Sequence, residues 1–289
     1  MLAAVTLEQV SKLRAPGVKR KKEELWRKKL PSITLPQVLA LEGGKWTYFD
    51  GCRKSGEATV KKSGIVVAIG GGGFTHQCDP DLDEFCLQFL PLRPSIGFVG
   101  MASGDSTEKT ERFYDRFRGQ AGTLSHLCQD ASRTDVEDWL AGKDMVYFGG
   151  GNSATLIRQL QTRHLAALFQ RANAQGLVLA GVSAGGVCWF DWAFSDAGGK
   201  GYAPLKGLGL VKSGICPHYL DEPARRPPFE ILIAQNAPLD GYGVDDGACV
   251  VAQEGRVTGA FSARDGSAAY HVSATIASGI SVQSVTEFS

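Results

Sequence analysis

The sequence lacks several features that would place it in a specialised class of protein. No uninterrupted apolar stretch approaches the roughly eighteen residues of a membrane-spanning helix, and the start of the chain has no apolar core typical of a secretory signal. The seven cysteines form an odd set without a Cys-x-x-Cys pair, which argues against a disulfide framework and against a zinc site. We therefore expect a cytoplasmic protein with free thiols, no metal and no membrane partner.

Net charge is also nearly absent, at +1, but the two signs are unevenly distributed along the chain. Residues 1–62 carry 14 Lys and Arg against 6 Asp and Glu, whereas residues 63–289 carry 17 against 24. The basic segment lacks the interleaved aromatics of a nucleic-acid arm, and its acids Glu8, Glu23 and Glu24 argue against a targeting peptide. We expect a poorly ordered extension over 1–62, one domain over 63–289, and no nucleic-acid partner.

Short apolar runs alternate with helical patterns from residue 65 onward. The runs have strand length and mostly lack polar alternation, which is typical of strands covered on both faces. The predicted strands are 65–69, 95–99, 145–148 and 177–180, and the predicted helices are 83–90, 108–118, 134–140 and 153–175, the last broken near Arg163 and His164. This alternation predicts an α/β fold with a mostly parallel sheet and helices on both faces. Beyond Gly207 we expect a helix over 229–235, strands over 248–253, 256–262 and 268–273, and a hairpin at Gly255.

The sharpest local signal is Gly181-Val182-Ser183-Ala184-Gly185, which directly follows a predicted strand and precedes a plausible helix over 186–193. A strand-to-helix reversal this tight requires small neighbours and holds the serine hydroxyl clear of the sheet edge. The helix that follows points its first amides at a developing oxyanion. The pattern predicts that Ser183 is a nucleophile.

A serine nucleophile needs a base, and the base needs an acid to orient it. His218 lies in a proline-flanked loop, Cys216-Pro217-His218-Tyr219, and we predict that it is the base. Asp246, just before a predicted strand, and Asp196, thirteen residues after Ser183, are both candidates for the acid. A continuous helix from Gly186 would carry Asp196 about 20 Å away, so geometry favours Asp246 without excluding Asp196.

Two glycine-rich loops follow predicted strands. In Phe148-Gly149-Gly150-Gly151-Asn152 the bare amides could complete an oxyanion hole with the amide of Ala184, so Gly150 and Gly151 are candidate donors. Asn152 can cap the next helix and is also a candidate substrate contact. The loop at 70–73 departs from the dinucleotide fingerprint, because Thr75 occupies its third glycine position, and we expect no cofactor.

Two arginines shortly after His218 are candidates for substrate binding. Arg225 and Arg226 lie in a segment rich in proline and acidic residues. A guanidinium near the base could clamp a substrate carboxylate with two hydrogen bonds. The alternative, which we weigh equally, is a surface role.

Taken together, these segments resemble the peptidase E (aspartyl dipeptidase) family of serine peptidases, to which cyanophycinase is related. The resemblance rests on six segments in family order: 68–74, 102–105, 147–152, 181–185, 216–219 and 245–247. It implies a flavodoxin-like fold akin to class I glutamine amidotransferases, and hydrolysis of short peptides with an N-terminal aspartate without metal or cofactor. It also implies Ser183 as nucleophile and His218 as base. Some members carry Glu at the position of Asp246, and a family Asp matching Asp196 has also been assigned to the relay.

Two other interpretations of the same residues are open at this stage. A serine esterase or amidase of the α/β-hydrolase type has the order serine, acid, histidine, which Asp196 and His218 satisfy formally, although the 35 residues from Ser183 to His218 leave little room for that fold. A non-catalytic domain could instead use the glycine loops to hold a small anion. The expected partner is a small peptide substrate, and the chain is expected to be a monomer or a homodimer.

Overall fold

The chain divides into two units, one covering Met1–Thr59 together with Ser289 and the other covering Val60–Phe288. The computed structural model describes the backbone of 39–42 and 45–48, and then residues 64–199, 201–236, 238–275, 281–286 and 288. In the first unit, strands β1 (Leu39–Glu42) and β2 (Lys45–Tyr48) pair as an antiparallel hairpin. The rest of the predicted basic extension over 1–62 lies outside the described residues.

A seven-stranded sheet forms the centre of the second unit. Its strands are β3 (Ile65–Ile69), β4 (Ser95–Val99), β5 (Thr123–Leu127), β6 (Met145–Phe148), β7 (Val178–Val182), β12 (Ala248–Gln253) and β13 (Arg256–Ser262). They lie in the order β13-β12-β3-β7-β6-β4-β5. The five strands from β3 to β5 are parallel, whereas β12 and β13 are antiparallel additions at one edge. Each predicted parallel strand is present, the last shifted from 177–180 to 178–182.

A second sheet of six strands completes the second unit. Its members are β8 (Phe190–Ser195), β9 (Ala203–Lys206), β10 (Val211–Pro217), β11 (Asp240–Val244), β14 (Ala269–Ser273) and β15 (Ser281–Ser284), in the order β15-β14-β11-β10-β8-β9. Strands β8, β10 and β11 are parallel, and the other pairs are antiparallel. Of this sheet, the sequence patterns predicted only β14.

Helices cover both faces of the seven-stranded sheet, as predicted for an α/β fold. They are α1 (Gly73–His76), α2 (Pro80–Leu87), α3 (Thr107–Phe117), α4 (Arg133–Leu140), α5 (Ser153–Thr162), α6 (Ala166–Ala174) and α7 (Ala184–Val187), with a 3₁₀ turn at Met101–Ser103. Helix α8 (Arg226–Gln235) packs instead against the second sheet. Alternate residues of β3 enter two different apolar clusters: Val67 and Ile69 pack with α1, α2 and α3, while Val66 and Ala68 pack with α4 to α7 and the second sheet. The α/β, flavodoxin-like fold is therefore confirmed.

The predicted helix over 186–193 is wrong. Helix α7 ends after a single turn at Val187, and the chain enters β8 at Phe190. Trp189 and Phe190 are fully buried in the larger apolar cluster, so packing of these aromatic side chains outweighs the local helical pattern. Within the described residues, no helix has both the length and the hydropathy required to cross a bilayer.

Candidate active site

Ser183 lies at the carboxyl end of β7, in a strained turn between this strand and α7. Its backbone has φ 48° and ψ −119°, a conformation that non-glycine residues rarely adopt, and its amide donates to the carbonyl of Ile69 at 2.8 Å. The glycines on either side are required by close approach, since a Cβ on Gly185 would lie 2.1 Å from the carbonyl oxygen of Phe148. The sequence thus builds the strand–turn–helix geometry of a nucleophile elbow, with the Ser183 side chain partly accessible.

The second sheet delivers His218 and Asp246 to Ser183. Strands β10 and β11 are parallel neighbours with Pro217 opposite Val244, so the residues that follow each strand emerge at the same edge. His218 comes directly after β10, and Asp246 lies in the connection that leaves β11 for β12 of the main sheet. That connection forms a parallel bridge between Asp246 and Gly71, which ties the acid to the end of β3.

The three side chains form one continuous hydrogen-bonded chain. The distance from Ser183 Oγ to His218 Nε2 is 3.0 Å, and the distance from His218 Nδ1 to Asp246 Oδ1 is 2.5 Å. An ionised carboxylate can only accept, so Nδ1 carries the proton and donates to Asp246. Nε2 of the neutral imidazole is then an acceptor and can receive the proton of the Ser183 hydroxyl.

Asp246 is held in its ionised form. Burial acts to raise the pKa of this carboxyl, but the hydrogen bond and electrostatic interaction with the His218 ring, with smaller contributions from His76 and Arg264, leave the pKa below its ordinary value. The Asp246 amide also donates to Asp221 Oδ2 at 2.7 Å, which fixes the backbone that carries the carboxylate. Asp246 is therefore a persistent anion directed at the His218 ring.

Gly71 creates the space in which His218 and Asp246 meet. A Cβ on this residue would lie 1.9 Å from Asp246 Oδ1 and 2.8 Å from His218 Nδ1. Its neighbour Gly70 is equally constrained, since a Cβ there would lie 2.3 Å from the carbonyl oxygen of Asp245. In the sequence this glycine run is a departure from a dinucleotide motif and part of the segment 68–74 that resembles peptidase E, but no local pattern assigns a role to Gly71. The position of the run after a buried strand is the signal that it lies at the sheet edge.

Two of the three candidate oxyanion donors lie beside Ser183: Ala184 follows it in the chain, and Gly150 packs against it. A Cβ on Gly150 would lie 3.7 Å from the Cβ of Ser183, which places this loop against the elbow. None of the described residues accepts a hydrogen bond from the amides of Gly150, Gly151 or Ala184. Asn152 caps α5 through Oδ1, which accepts from the amide of Thr155 at 2.8 Å. The amides are available to a developing oxyanion.

Asp196, the alternative acid, directly follows β8, a parallel neighbour of β10, and therefore emerges at the same sheet edge as His218. The backbone carbonyl of Asp196 accepts a hydrogen bond from the amide of Gly199. The pKa of Tyr202 is raised mainly by the hydrogen bond that Tyr202 donates to Glu222, and the negative charge of Asp196 makes a smaller contribution in the same direction. In the described part of the chain, Asp196 makes no hydrogen bond or ion pair with His218. The carboxylate in contact with His218 is Asp246.

The two candidate arginines are already engaged with other groups. Arg225 is 5 % exposed, pairs with Glu222 at 2.6 Å, donates to the carbonyl of Phe194 and lies over the ring of Tyr202. Arg226 pairs with Glu230 at 2.7 Å and lies over the ring of Tyr219. Both guanidinium groups are neutralised within the protein, which does not favour the predicted role in substrate binding.

Comparison with known proteins identifies the family of the chain. The sequence model of peptidase family S51 matches residues 66–259. The uncharacterized peptidase YgaJ of Bacillus subtilis (strain 168) is 35% identical over 210 residues, which cover 72% of this chain and 91% of YgaJ.

Solved structures show the same fold at lower identity. A peptidase from an acI-B1 Actinobacterium superimposes with a TM-score of 0.61 at 17% identity, covering 79% of this chain and 97% of the other. A candidate peptidase E from Listeria monocytogenes EGD-e gives 0.51 at 19% identity, covering 69% and 98%. The family match over two thirds of the sequence confirms the resemblance to peptidase E: the chain belongs to peptidase family S51.

Proposed function

We propose that this protein is a serine dipeptidase that hydrolyses short peptides with an N-terminal aspartate, with Ser183 as nucleophile, His218 as general base and Asp246 as the orienting acid. The observation that carries the proposal is the chain of hydrogen bonds from Ser183 Oγ through His218 to Asp246, at 3.0 and 2.5 Å, on a strained elbow. Membership of a peptidase family supports peptide hydrolysis, and the resemblance to aspartyl dipeptidases supports the choice of substrate.

Acylation begins with attack of Ser183 Oγ on the scissile carbonyl carbon, while His218 Nε2 takes the hydroxyl proton. The carbonyl oxygen becomes an oxyanion, and the amide of Ala184 with those of Gly150 and Gly151 donates to it. Asp246 stabilises the imidazolium that forms, and His218 then returns the proton to the leaving amine as the carbon–nitrogen bond breaks. Each such oxyanion donor is worth about 10²–10³ in turnover.

Deacylation repeats these steps with water. His218 Nε2 removes a proton from water as its oxygen attacks the acyl carbon, and the same amides hold the second oxyanion. Collapse of this intermediate breaks the bond to Ser183 Oγ, which recovers its proton from His218. The products are free aspartate and the second amino acid, and no group outside the protein other than water is consumed.

A panel of Asp-Xaa, Glu-Xaa and neutral dipeptides tests the proposal. We expect release of aspartate from Asp-Xaa substrates, and a loss of about 10⁴–10⁶ in turnover for Ser183→Ala. Ser273→Ala, in β14 and away from the elbow, is the matched control and should retain full activity. Cleavage of short-chain esters but of no peptide would instead identify an esterase, and the absence of any hydrolysis would favour a domain that only binds an anion.

A further inference from the structure

Lys109, on the first turn of α3, is a half-buried cation at the edge of the site. Its Nζ donates to the carbonyl of Gly150 at 2.8 Å. No carboxylate in the described ranges forms an ion pair with it, whereas Arg112, one turn later, pairs with Glu108. Removing an ammonium group from water without a counter-charge is unfavourable, so this position suits an anionic ligand.

The location of Lys109 places this charge close to the reacting groups. It contacts the carbonyl of Gly150, and Gly150 packs against Ser183. His76 lies close to the catalytic histidine, with its ring centroid 6.2 Å from that of His218. Burial lowers the pKa of His76 most; the electrostatic interactions with His218 and, more weakly, Lys109 act in the same direction, and that with Asp246 opposes them. Lys109 is therefore within electrostatic range of the groups that surround the catalytic histidine.

We propose that Lys109 is the specificity-determining residue of this site and pairs with the side-chain carboxylate of the N-terminal aspartate of the substrate. The inference rests on the proposed function. It replaces Arg225 and Arg226 in the role that the sequence suggested for them, because the carboxylates of Glu222 and Glu230 already neutralise those arginines. An aspartate side chain is short, so its carboxylate must meet a cation close to the nucleophile, as Lys109 is.

The test compares p-nitroanilides of aspartate and asparagine, which have the same shape, differ in charge and lack a C-terminal carboxylate. In wild type we expect aspartate to be preferred. Lys109→Met keeps the chain length and removes the charge, and should lower kcat/KM for the aspartyl substrate by about 10²–10³ while changing the asparaginyl substrate less than about threefold. Lys109→Arg should keep the preference, and Lys206→Met, an exposed residue of β9, is the matched control.

Two outcomes overturn the inference. An equal loss of kcat/KM on both substrates would mean that Lys109 only orients the backbone peptide group that joins Gly150 to Gly151. Equal cleavage of both anilides by the wild type would mean that the site does not discriminate between a charged and a neutral side chain on the substrate, although the proposed hydrolysis would stand. Failure of the wild type to cleave either anilide, or any dipeptide, is the separate result that would remove the proposed function itself. Thermal unfolding of each variant checks that it folds.

Discussion

Replacing Gly71 by alanine tests whether the space at this glycine is what allows Asp246 to reach His218. The backbone of Gly71 lies outside the left-handed region, so alanine causes no φ strain there and acts only through its Cβ. This atom would lie 1.9 Å from Asp246 Oδ1, and ordinary contact begins near 3.4 Å. The carboxylate must therefore retreat by about 1.5 Å, which breaks a hydrogen bond that is now 2.5 Å long.

The expected loss of turnover follows from the role of the hydrogen bond between His218 and Asp246. When the acid of a serine triad is neutralised and the histidine takes the wrong tautomer, turnover falls by about 10⁴. A displaced but still charged Asp246 keeps part of its effect, so we expect Gly71→Ala to lower kcat by about 10²–10⁴. Gly119→Ala is the matched control, because nothing lies within 4 Å of a Cβ at that position.

Steady-state hydrolysis of an aspartyl substrate measures this loss, and a double-mutant cycle assigns its origin. If the new Cβ acts mainly through the carboxylate, Gly71→Ala should cost clearly less activity in an Asp246→Ala background than in wild type, because only its 2.8 Å approach to His218 Nδ1 then remains. Losses that simply multiply in the double variant would refute this reasoning, as would full activity of Gly71→Ala. Thermal unfolding separates loss of activity from loss of fold.

Two further predictions concern aspartates. Asp246→Asn should lower kcat by about 10⁴, whereas Asp196→Asn should retain activity within about threefold, and steady-state kinetics on one substrate compares them; the reverse order would assign the acid to Asp196. Burial raises the pKa of Asp83 to about 6, with Arg116 acting in the opposite direction, so ionisation of Asp83 costs stability as pH rises from about 4 to about 6. The free energy of unfolding of wild type relative to Asp83→Asn should fall by roughly 3 kcal/mol across that window in urea titrations, and a constant difference would contradict it.

The parallel strands were predictable from the sequence because burial on both faces leaves a direct pattern. Strands β3, β4 and β6 are short apolar runs, and their predicted bounds agree with the structure. Apart from β14, the second sheet left no such pattern, since a strand such as β11 (Asp240–Val244) alternates glycine with larger residues. Its Gly243 is required by the ring of Tyr219, which a Cβ would approach to 2.5 Å. That requirement arises from tertiary packing and is invisible in a local window.

The same distinction applies to the site. A strand–turn–helix signature marks Ser183 locally, and a proline-flanked loop singles out His218, so these predictions needed no tertiary information. The fit of Asp246 to His218 depends on a chain that crosses from one sheet to the other. Whether a cation is neutralised is likewise a tertiary property, which explains why Arg225 stood out in the sequence and Lys109 did not.

Covalent labelling of the nucleophile tests the central claim most directly. A fluorophosphonate should add once to the native protein, and peptide mapping by mass spectrometry should place the adduct on Ser183 Oγ. The adduct should be absent in Ser183→Ala and should form much more slowly in His218→Ala, because the hydroxyl then lacks its base. Absence of labelling in the folded wild type, or an adduct on another serine, would contradict the assignment of Ser183 as a catalytic nucleophile.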